Sequence, residues 1–418
     1  MATLAPIRSA FAPETPQTIE QSGISQALVT DLMLRRLLLE GYSSLWALSE
    51  RLKLSIPILE AVFRHMRQQQ LVEVKGMIGN DYSFALSAAG RALAGERFQI
   101  TQYAGAAPVS LSDYHAATCK QAAKVAVNRK VLRYALSDLV VTDRLLDSLG
   151  PALISQTSIF LYGPTGNGKT CLAERLLRIY DDAVLIPYAV EVDGQIINLY
   201  DPVVHEKIEV EDTGFDPRWV LCHRPFLLVG GELVPSMLEL RLDEASGIYA
   251  APLQMKSNNG ILVIDDFGRQ LMSPRDLLNR WIVPLDRRGD YLTLRYGIKF
   301  QIPFELMVVF STNLDPSDLA DEAFLRRIHN KIFVEAVQAD TFDEILRRVA
   351  ATRNIPAEPG SAEHIRKLCL REGRTELRAC YPSDICDILV AISAYEGRDV
   401  RMTRADLERA TSLYFTRS

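Results

Sequence analysis

The sequence predicts an α/β protein, with a small helix-rich domain ahead of the α/β unit and a helical segment behind it. Three stretches of the 418-residue chain carry this prediction. A short apolar run at 159–162 leads through a glycine-rich loop into a helical pattern. A second apolar run, 261–264, ends in two adjacent acids, and a third, within 305–312, ends in serine and threonine. Buried apolar runs that alternate with helical patterns are typical of a parallel sheet covered by helices.

Length and composition are those of a globular protein with more than one domain. A chain of this length exceeds the size of a single core, since domains usually hold about 100–200 residues. A net charge of −5 argues against a surface devoted to nucleic acid. The six cysteines form no C-x-x-C pair, which predicts reduced thiols in the cytoplasm. No apolar run approaches the ~18–20 residues that cross a bilayer, so we expect no membrane partner.

The first hundred residues predict a tail followed by a small domain. Residues 1–18 are rich in proline and small side chains, and we expect a disordered tail there. Over 19–100, three helical patterns precede two alternating stretches around a Gly-Asn-Asp turn and a further helix. This order resembles a winged helix-turn-helix domain, which is a small α+β fold. Residues 101–124, which include "YAGAAPVSLSDYH", predict a linker.

The winged helix leaves two kinds of partner open. On duplex DNA it would use the helix around 57–70. Residues 19–97 hold nine lysines and arginines against eight acids, which is a weak electrostatic footprint. Arg64 and Arg67 offer contacts to phosphate, but Pro57 crowds the end of the helix that would enter a groove. A solvated helix face or a protein-docking surface is therefore favoured over a DNA-binding one.

The glycine-rich loop fits G-x-x-x-x-G-K-[ST] in full and in its strand–loop–helix context. It consists of Gly163, Pro164, Thr165, Gly166, Asn167, Gly168, Lys169 and Thr170, and Cys171 follows in the helix. The glycines let successive N–H groups turn toward a phosphate, and the helix N-terminus adds to the attraction. Lys169 would contact the β- and γ-phosphates, while Thr170 would ligate Mg²⁺. We therefore predict a site for ATP and Mg²⁺.

A phosphate loop alone would serve a binding protein, and the stretch "ILVIDDFGRQ" adds the groups that hydrolysis needs. Asp265 would bind the Mg²⁺ shell, directly or through water. Asp266 would face the γ-phosphate and polarise the attacking water. The stretch resembles the second motif of P-loop ATPases, in which the second acid is usually glutamate. Aspartate is one methylene shorter.

Two further features come later in the chain. Asn313 ends the buried strand "ELMVVFSTN" and is placed to orient a water. Arg326 and Arg327 follow a short helix and precede a strand at 331–337. The chain thus has a phosphate loop, then paired acids, then a polar residue and then arginines. In this order of motifs, residues 125–418 resemble the AAA+ ATPases.

The resemblance implies a P-loop AAA+ fold assembled from identical subunits. It implies a nucleotide-binding domain at 125–339, with a five-stranded parallel sheet, and a helical lid at 340–418. Members usually form a ring of six. Asn313 would be the first sensor, and Arg327, alone or with Arg326, would act as an arginine finger in the neighbouring subunit.

The lid departs from the family pattern at the second sensor. Many members place an arginine at the start of the third lid helix, where this chain has Ser383. Arg378 is the nearest substitute, and we predict that it contacts the nucleotide.

Two inserts narrow the resemblance. "DYLTL" and "IKFQIPF" predict a β-hairpin ahead of the sensor strand, and "LRLDEASGIYAAPLQMKSNNG" predicts a helix interrupted by a loop. Both resemble the AAA+ branch that includes MoxR-like chaperones and enhancer-binding activators. Tyr249 would then be either an exposed aromatic that touches a partner or a core residue. The alternating stretch 186–210 suggests a hairpin extending the sheet, with His205 as an ordinary surface or capped histidine.

These features together predict a cytoplasmic AAA+ ATPase that remodels a macromolecular partner, with a protein partner and a chaperone-like role favoured. One alternative is a DNA-associated regulator or loader that uses its winged helix on duplex DNA. A second is a nucleotide-gated scaffold whose acids hold Mg²⁺ without useful hydrolysis.

Overall fold

Helices and strands alternate along most of the protein. The computed structural model describes residues 11–78, 81–124, 126–210, 214–319, 322–371 and 374–415. Its helices are α1 (Ile19–Ser22), α2 (Gln26–Glu40), α3 (Leu45–Leu52), α4 (Ile56–Gln68), α5 (Ala88–Ile100), α6 (Leu111–Lys120), α7 (Arg129–Ala135), α8 (Asp143–Ser155), α9 (Lys169–Arg175), α10 (Leu253–Lys256), α11 (Pro274–Arg287), α12 (Pro316–Leu319), α13 (Glu322–Leu325), α14 (Ala339–Thr352), α15 (Ser361–Cys369), α16 (Tyr381–Glu396) and α17 (Arg404–Tyr414). Its strands are β1 (Tyr42–Ser43), β2 (Val72–Ile78), β3 (Asp81–Leu86), β4 (Val109–Ser110), β5 (Ile159–Tyr162), β6 (Ala183–Pro187), β7 (Ala189–Val192), β8 (Gln195–Asn198), β9 (Trp219–His223), β10 (Phe226–Val229), β11 (Arg241–Asp243), β12 (Ile248–Ala250), β13 (Ile261–Ile264), β14 (Gly289–Thr293), β15 (Lys299–Pro303), β16 (Met307–Thr312) and β17 (Asn330–Phe333).

The central sheet has five strands in the order β10-β13-β16-β5-β17, and every neighbouring pair is parallel. Alternate side chains of β5 enter different cores, because successive residues of a strand point to opposite faces. Ile159 and Leu161 pack with helices α8 and α9, whereas Phe160 packs with Trp281 of α11. The predicted α/β fold with a five-stranded parallel sheet is confirmed.

The parallel arrangement gathers the chemically interesting residues at one edge of the sheet. Gly163 follows β5, Asp265 follows β13 and Asn313 follows β16. Since the carboxyl ends of parallel strands meet at the same edge, these three positions are neighbours although the sequence separates them widely.

Four helices follow the central sheet, as the sequence predicts for a lid. The helices α14, α15, α16 and α17 share one apolar core, which includes Phe342, Ile365 and Ile385. Among the described residues, no helix combines the length and the apolar character that crossing a membrane requires.

The N-terminal domain combines α2, α3 and α4 with a three-stranded antiparallel sheet of order β1-β3-β2. Residues 11–18, predicted to be disordered, are packed instead. The Phe11 ring lies edge-on to Trp219, with 5.5 Å between the ring centroids, and the carbonyl of Pro13 accepts a hydrogen bond from Asp216 N at 2.8 Å. The contact between Phe11 and the distant Trp219 holds residues 11–18 in place. The composition of these residues does not predict that contact. Residues 1–10 lie outside the described part of the chain.

A second five-stranded sheet, of order β11-β12-β8-β7-β4, lies outside the central one. The predicted linker 101–124 is wrong, because it holds β4 and α6, and Val109 pairs with Val190 of the new sheet. The hairpin β7–β8 also joins this sheet rather than extending the central one. We call this sheet, with the paired strands β6 and β9, the inserted sheet. Apart from β4, all of its strands (β6, β7, β8, β9, β11 and β12) come between the phosphate loop and the paired acids.

The stretch predicted as an interrupted helix forms the antiparallel pair β11–β12 and the short α10. Tyr249 is a core residue: it is 3% exposed, and its hydroxyl accepts a hydrogen bond from Arg295 N at 3.0 Å. Of the two alternatives that the sequence leaves open for Tyr249, the structure has the core residue and not the exposed, partner-contacting one. The predicted hairpin β14–β15 is present, and its Leu292 and Phe300 pack in the same core as Tyr249.

A buried arginine joins the N-terminal domain to the inserted sheet. The Arg218 guanidinium donates to both Asp216 carboxylate oxygens, with the shortest bond at 2.7 Å. Its remaining donors reach the carbonyls of Ser22, at 2.8 Å, and Pro108, at 3.2 Å. Both charged side chains are almost fully buried. Loss of one partner would leave the other as an uncompensated buried charge.

Replacing Arg218 with alanine should lower the free energy of unfolding by about 3–5 kcal/mol, because it leaves Asp216 buried and unpaired. Replacing the pair by Arg218→Met with Asp216→Leu should cost far less. The control is Arg64→Ala, which breaks an exposed pair with Glu60 and should cost at most ~1 kcal/mol. Urea unfolding followed by circular dichroism measures all three. Equal losses for Arg218→Ala and Arg64→Ala would show that the arginine does not hold these units together.

His205 is buried and neutral in this fold. Its Nδ1 accepts a hydrogen bond from Asp201 N at 2.9 Å, so the ring proton resides on Nε2, which lies 2.8 Å from the carbonyl of Lys256. Burial lowers the pKa of His205 below its usual 6.5. This is the capped histidine that the sequence suggests.

Because the unfolded chain binds a proton at a pH where folded His205 does not, acidification below pH ~6.5 should destabilise the protein. We expect wild type to lose more unfolding free energy between pH 7.5 and 5.5 than His205→Gln does. The variant His115→Gln, at an exposed histidine, should behave as wild type. Urea midpoints at both pH values test this, and an identical loss in wild type and His205→Gln would contradict it.

Candidate nucleotide site at the carboxyl edge of the central sheet

The loop after β5 has a backbone that only glycine tolerates at several positions. Gly163, Gly166 and Gly168 have φ values of 140°, 77° and 80°. A side chain at Gly163 would also lie 2.3 Å from the carbonyl oxygen of Val334. Glycine is the residue that populates this region without a steric penalty. The loop therefore encircles a space into which α9 points its N-terminus, which is the arrangement that binds phosphate.

Lys169 is folded back across this loop. Its Nζ donates to the carbonyls of Gly163, at 2.9 Å, and Pro164, at 3.0 Å, and the side chain is buried. Burial lowers the pKa of Lys169, and the nearby carboxylates of Asp265 and Asp266 partly offset this effect. A phosphate would offer the ammonium a charged acceptor, which binds more strongly than a neutral carbonyl.

Thr170 meets the first of the paired acids. Its hydroxyl donates to Asp265 Oδ2 at 2.7 Å, and the backbone of Asp265 is fixed by a 2.8 Å bond from its N to Val229 O. A hydroxyl and a carboxylate oxygen are hard donors of the kind Mg²⁺ prefers. Mg²⁺ also needs only one or two protein oxygens, since waters and phosphates complete its shell. These two residues therefore fit the predicted metal.

Asp266 occupies a tight turn that explains why it is not glutamate. Its φ is 47°, in the left-handed region that aspartate and asparagine enter more readily than longer side chains. The turn is pinned to β16, because Phe267 N donates to Ser311 O and Thr312 Oγ1 donates to Phe267 O, both at 2.7 Å. Gln270 adds a bond of 2.7 Å to Asp265 O. The Asp266 carboxylate is left exposed at the sheet edge.

A cavity of about 790 Å³ opens above these residues. One end is lined by the loop from Thr165 to Cys171, both acids and Ser311. The other end carries apolar side chains, which are Leu139, Val141, Ile345 and Val349. A charged end and an apolar end within this volume suit a triphosphate and a base, because ligand cavities usually measure ~300–1,000 Å³.

The lid touches the phosphate loop directly. Cys380 N donates to Gly166 O at 2.9 Å, and Ala379 N donates to Asn167 Oδ1 at 3.2 Å. At the apolar end, Arg348 Nη1 donates to Ser137 O at 2.9 Å. The lid is thus joined to both ends of the cavity, so a ligand placed there would influence the position of the lid.

Of the remaining predicted residues, Asn313 and Arg378 lie near the cavity. Asn313 directly follows β16 and is half-buried, while the residue of that strand that lines the cavity is Ser311. The side chain of Arg378 comes within 3.4 Å of where a β-carbon on Gly166 would lie, and its guanidinium sits over the Tyr381 ring. Ser383, where the family usually has arginine, lines the cavity. The sensor roles of Asn313 and Arg378 stay predictions.

Arg326 and Arg327 lie at the opposite edge of the sheet. Both precede β17, whose first residue pairs with the first residue of β5, whereas the phosphate loop follows the last residue of β5. Arg327 lines a small cleft there with Ser158 and His329. Neither arginine can therefore serve the phosphate loop of its own chain.

Three contributors to the site escaped the sequence reasoning. Gln270 lies inside the stretch "ILVIDDFGRQ", but its residue type does not predict the hydrogen bond by which it stabilises the Asp266 turn. Cys380 and Arg348 sit within ordinary helical patterns of the lid, and only the docked lid shows that they reach the cavity and its loop.

Comparisons with known proteins find one family model and a set of distant solved structures. A family described as a domain of unknown function (DUF8689) matches residues 338–413, which are the lid helices. No curated protein matches the sequence. A mutant of Thermotoga maritima RuvB is 14% identical, with a TM-score of 0.41 over 68% of this chain and 73% of its own. The FIGL-1 AAA domain is 13% identical, with a TM-score of 0.38 over 69% of this chain and 85% of its own. The fold assignment accordingly rests on the strand order and the phosphate loop.

The contact between the loop and the lid can be tested at Gly166. A β-carbon there would lie 2.6 Å from the Cys380 sulfur, so Gly166→Ala should cost the ~1–2 kcal/mol of a left-handed alanine plus the clash. The control Gly297→Ala has φ 82° with open space around it, so it should cost only the backbone term. Adding Cys380→Ala should recover the clash term of Gly166→Ala.

Thermal unfolding of wild type, Gly166→Ala, Cys380→Ala and the double variant gives the coupling energy between positions 166 and 380, expected at about 0.5–3 kcal/mol. Strict additivity of the two substitutions would show that the lid does not rest on the loop in solution.

Proposed function

We propose that the chain is an AAA+ ATPase that binds and hydrolyses ATP between its phosphate loop, its paired acids and its lid. The observation that carries the proposal is the bridge from Thr170 to Asp265, which joins the loop to the acids beneath a cavity of nucleotide size. The strand order, with β5 between β16 and β17, supports the same conclusion.

Binding would engage the triphosphate at the charged end of the cavity. The N–H groups of the loop would face the phosphates, and Lys169 would exchange its two backbone carbonyls for phosphate oxygens. Thr170 and Asp265 would hold Mg²⁺, which when bound neutralises phosphate charge. The base would rest between Val141 and Ile345, so that the apolar end excludes water from it.

Hydrolysis would depend on Asp266. Its carboxylate is exposed at the sheet edge and fixed by the turn, so it would accept a proton from a water lying over the phosphate. Ser311 and Asn313, from the neighbouring strand, would orient that water. Because the lid contacts the loop at Gly166, closure would also limit the entry of other waters.

The site is completed by a second subunit in this proposal. Arg327 lies at the sheet edge opposite its own loop, so a developing charge on ATP could meet it only across an interface. A guanidinium supplied in this way stabilises the transition state and makes turnover depend on assembly. We propose a ring of identical subunits, with six as the family's usual number.

The inserts favour the branch that includes MoxR-like chaperones, with a protein partner. The hairpin β14–β15 precedes the sensor strand, as that branch requires, and exposes Tyr296 at its tip. The N-terminal helices and the sheet order β1-β3-β2 support a winged helix domain. That domain exposes Tyr42 and Trp46, and apolar surface of this kind is typical of protein contacts.

DNA binding is the second candidate, and two contacts weigh against it. Arg64 on the outer face of α4 is neutralised by Glu60 at 2.8 Å. Ser55, at the start of α4, donates to Pro16 O at 2.6 Å, so the N-terminal segment lies beside the helix end that would enter a groove. Strong, steeply salt-dependent binding of the full chain to duplex DNA would reverse this preference.

Two variants test the ATPase proposal. Lys169→Ala should lose ATP binding, because the ammonium held within the phosphate loop is removed. Asp266→Asn should bind ATP as wild type does and lose most of its turnover, roughly 10²–10³-fold, since asparagine keeps the turn but cannot take a proton. The control Asp193→Asn alters another exposed aspartate with positive φ, and its turnover should not change.

Calorimetry with ATP and phosphate release measure binding and turnover in the same preparations. Wild-type binding without any turnover above that of Asp266→Asn would instead support the nucleotide-gated scaffold. Unchanged binding in Lys169→Ala would refute the site itself.

A further inference from the structure

Arg327 is held in place by a carboxylate of its own subunit. Its Nε donates to Asp286 Oδ2 at 2.8 Å, and both side chains are only partly exposed. Asp286 lies in the last turn of α11. Arg326, by contrast, is exposed and forms no ion pair within the described residues. The two adjacent arginines therefore differ: one has a fixed direction and the other does not.

The helix that carries Asp286 is seated next to the paired acids. Phe267, which follows Asp266, packs on Phe310 with ring centroids 5.1 Å apart, and Phe310 packs on Trp281 of α11 at 6.4 Å. All three rings are buried. Because close-packed aromatic side chains have little freedom, α11 keeps a fixed position relative to the acid turn. Asp286 is thus carried by a helix that packs against the acid turn.

We propose that Asp286 is a positioning residue that orients Arg327 toward the nucleotide of the neighbouring subunit. The inference rests on the proposed function, in which that arginine acts across the interface. A carboxylate at Nε fixes the plane of a guanidinium, which otherwise turns with a long flexible side chain. Donors that are oriented before the reaction stabilise developing charge without a cost of reorganisation.

The pair is too exposed to act mainly through stability. Partly exposed ion pairs contribute about 0–1 kcal/mol to folding. A displacement of ~1 Å in a catalytic group, however, can lower the rate about 10²-fold. An effect of Asp286 on turnover that exceeds its effect on unfolding therefore separates positioning from mere support of the fold.

The first experiment compares three single variants of the full chain. Asp286→Ala should lower ATP turnover about 10–100-fold with unchanged ATP affinity and a melting temperature near that of wild type. Asp286→Glu, which keeps the carboxylate, should recover part of the rate. The control Glu40→Gln breaks another pair, Arg36–Glu40 at 2.6 Å, whose arginine is about as exposed as Arg327, and should leave turnover unchanged.

The second experiment locates the effect across the interface. Chains with Lys169→Ala lack a working loop but keep Asp286 and Arg327. When Lys169→Ala chains are co-assembled in excess with Asp286→Ala chains, they should restore turnover at the intact loops of the Asp286→Ala chains. The same excess should restore turnover in Arg327→Ala chains. If Asp286 served its own loop, mixing would restore nothing, and the inference would be wrong.

The outcomes also separate this inference from the proposed function. If Arg327→Ala lowers the ATP turnover of the protein but Asp286→Ala does not, only the role of Asp286 is overturned. Wild-type turnover that neither variant affects would remove the arginine proposal and the inference with it. A wild-type protein that binds ATP but never hydrolyses it would end both.

Discussion

The hydrogen bond from Thr170 to Asp265 is the contact on which the arrangement of the site depends. It joins positions 95 residues apart, and β16 separates the strands that carry them. It can form only because β5, β16 and β13 are parallel and end at one edge of the sheet. The same alignment brings Ser311 to the Asp266 turn, where a backbone bond holds that turn in its left-handed conformation. The loop, the acids and β16 are consequently joined by hydrogen bonds along one edge of the sheet, and the lid contacts this edge through the bond from Cys380 N to Gly166 O.

Much of this unit could be predicted from sequence, because its signals are local. The phosphate loop is predicted by glycines at fixed spacing. The strand β13 is predicted by four apolar residues that precede two acids. The hairpin β14–β15 and the four lid helices were predictable for the same reason. Asp266 is instructive, since the sequence shows the departure from glutamate but only the φ of 47° explains it. Aspartate enters this left-handed turn more readily than the longer glutamate does.

The failures have a shared cause in long-range packing. The sequence could not decide whether Tyr249 is exposed or buried, because its strand β12 pairs with β8, from a segment some fifty residues earlier. Residues 101–124 have the composition of a linker, but β4 is completed by β7, and residues 11–18 are anchored by Trp219. None of these partners is visible in a local window. The inserted sheet that results shares a core with the N-terminal domain, since Ala189 and Ile196 pack among its helices. The shared core and the hydrogen bonds from Arg218 to Ser22 O and Pro108 O join the N-terminal domain to the inserted sheet. The domain is therefore packed against that sheet rather than tethered by a linker.

The most direct test of the account is the Mg²⁺ dependence of ATP binding. If Asp265 binds the metal and Lys169 binds the phosphates, calorimetry with Mg²⁺ and with chelator should separate the roles of the two residues. Wild type should bind ATP about tenfold or more tightly when Mg²⁺ is present, a gain of ~1.4 kcal/mol or more. Asp265→Asn should lose that gain while binding metal-free ATP no more weakly than wild type. An equal Mg²⁺ gain in wild type and Asp265→Asn would contradict the central claim that Thr170 and Asp265 form the metal-binding side of a nucleotide site.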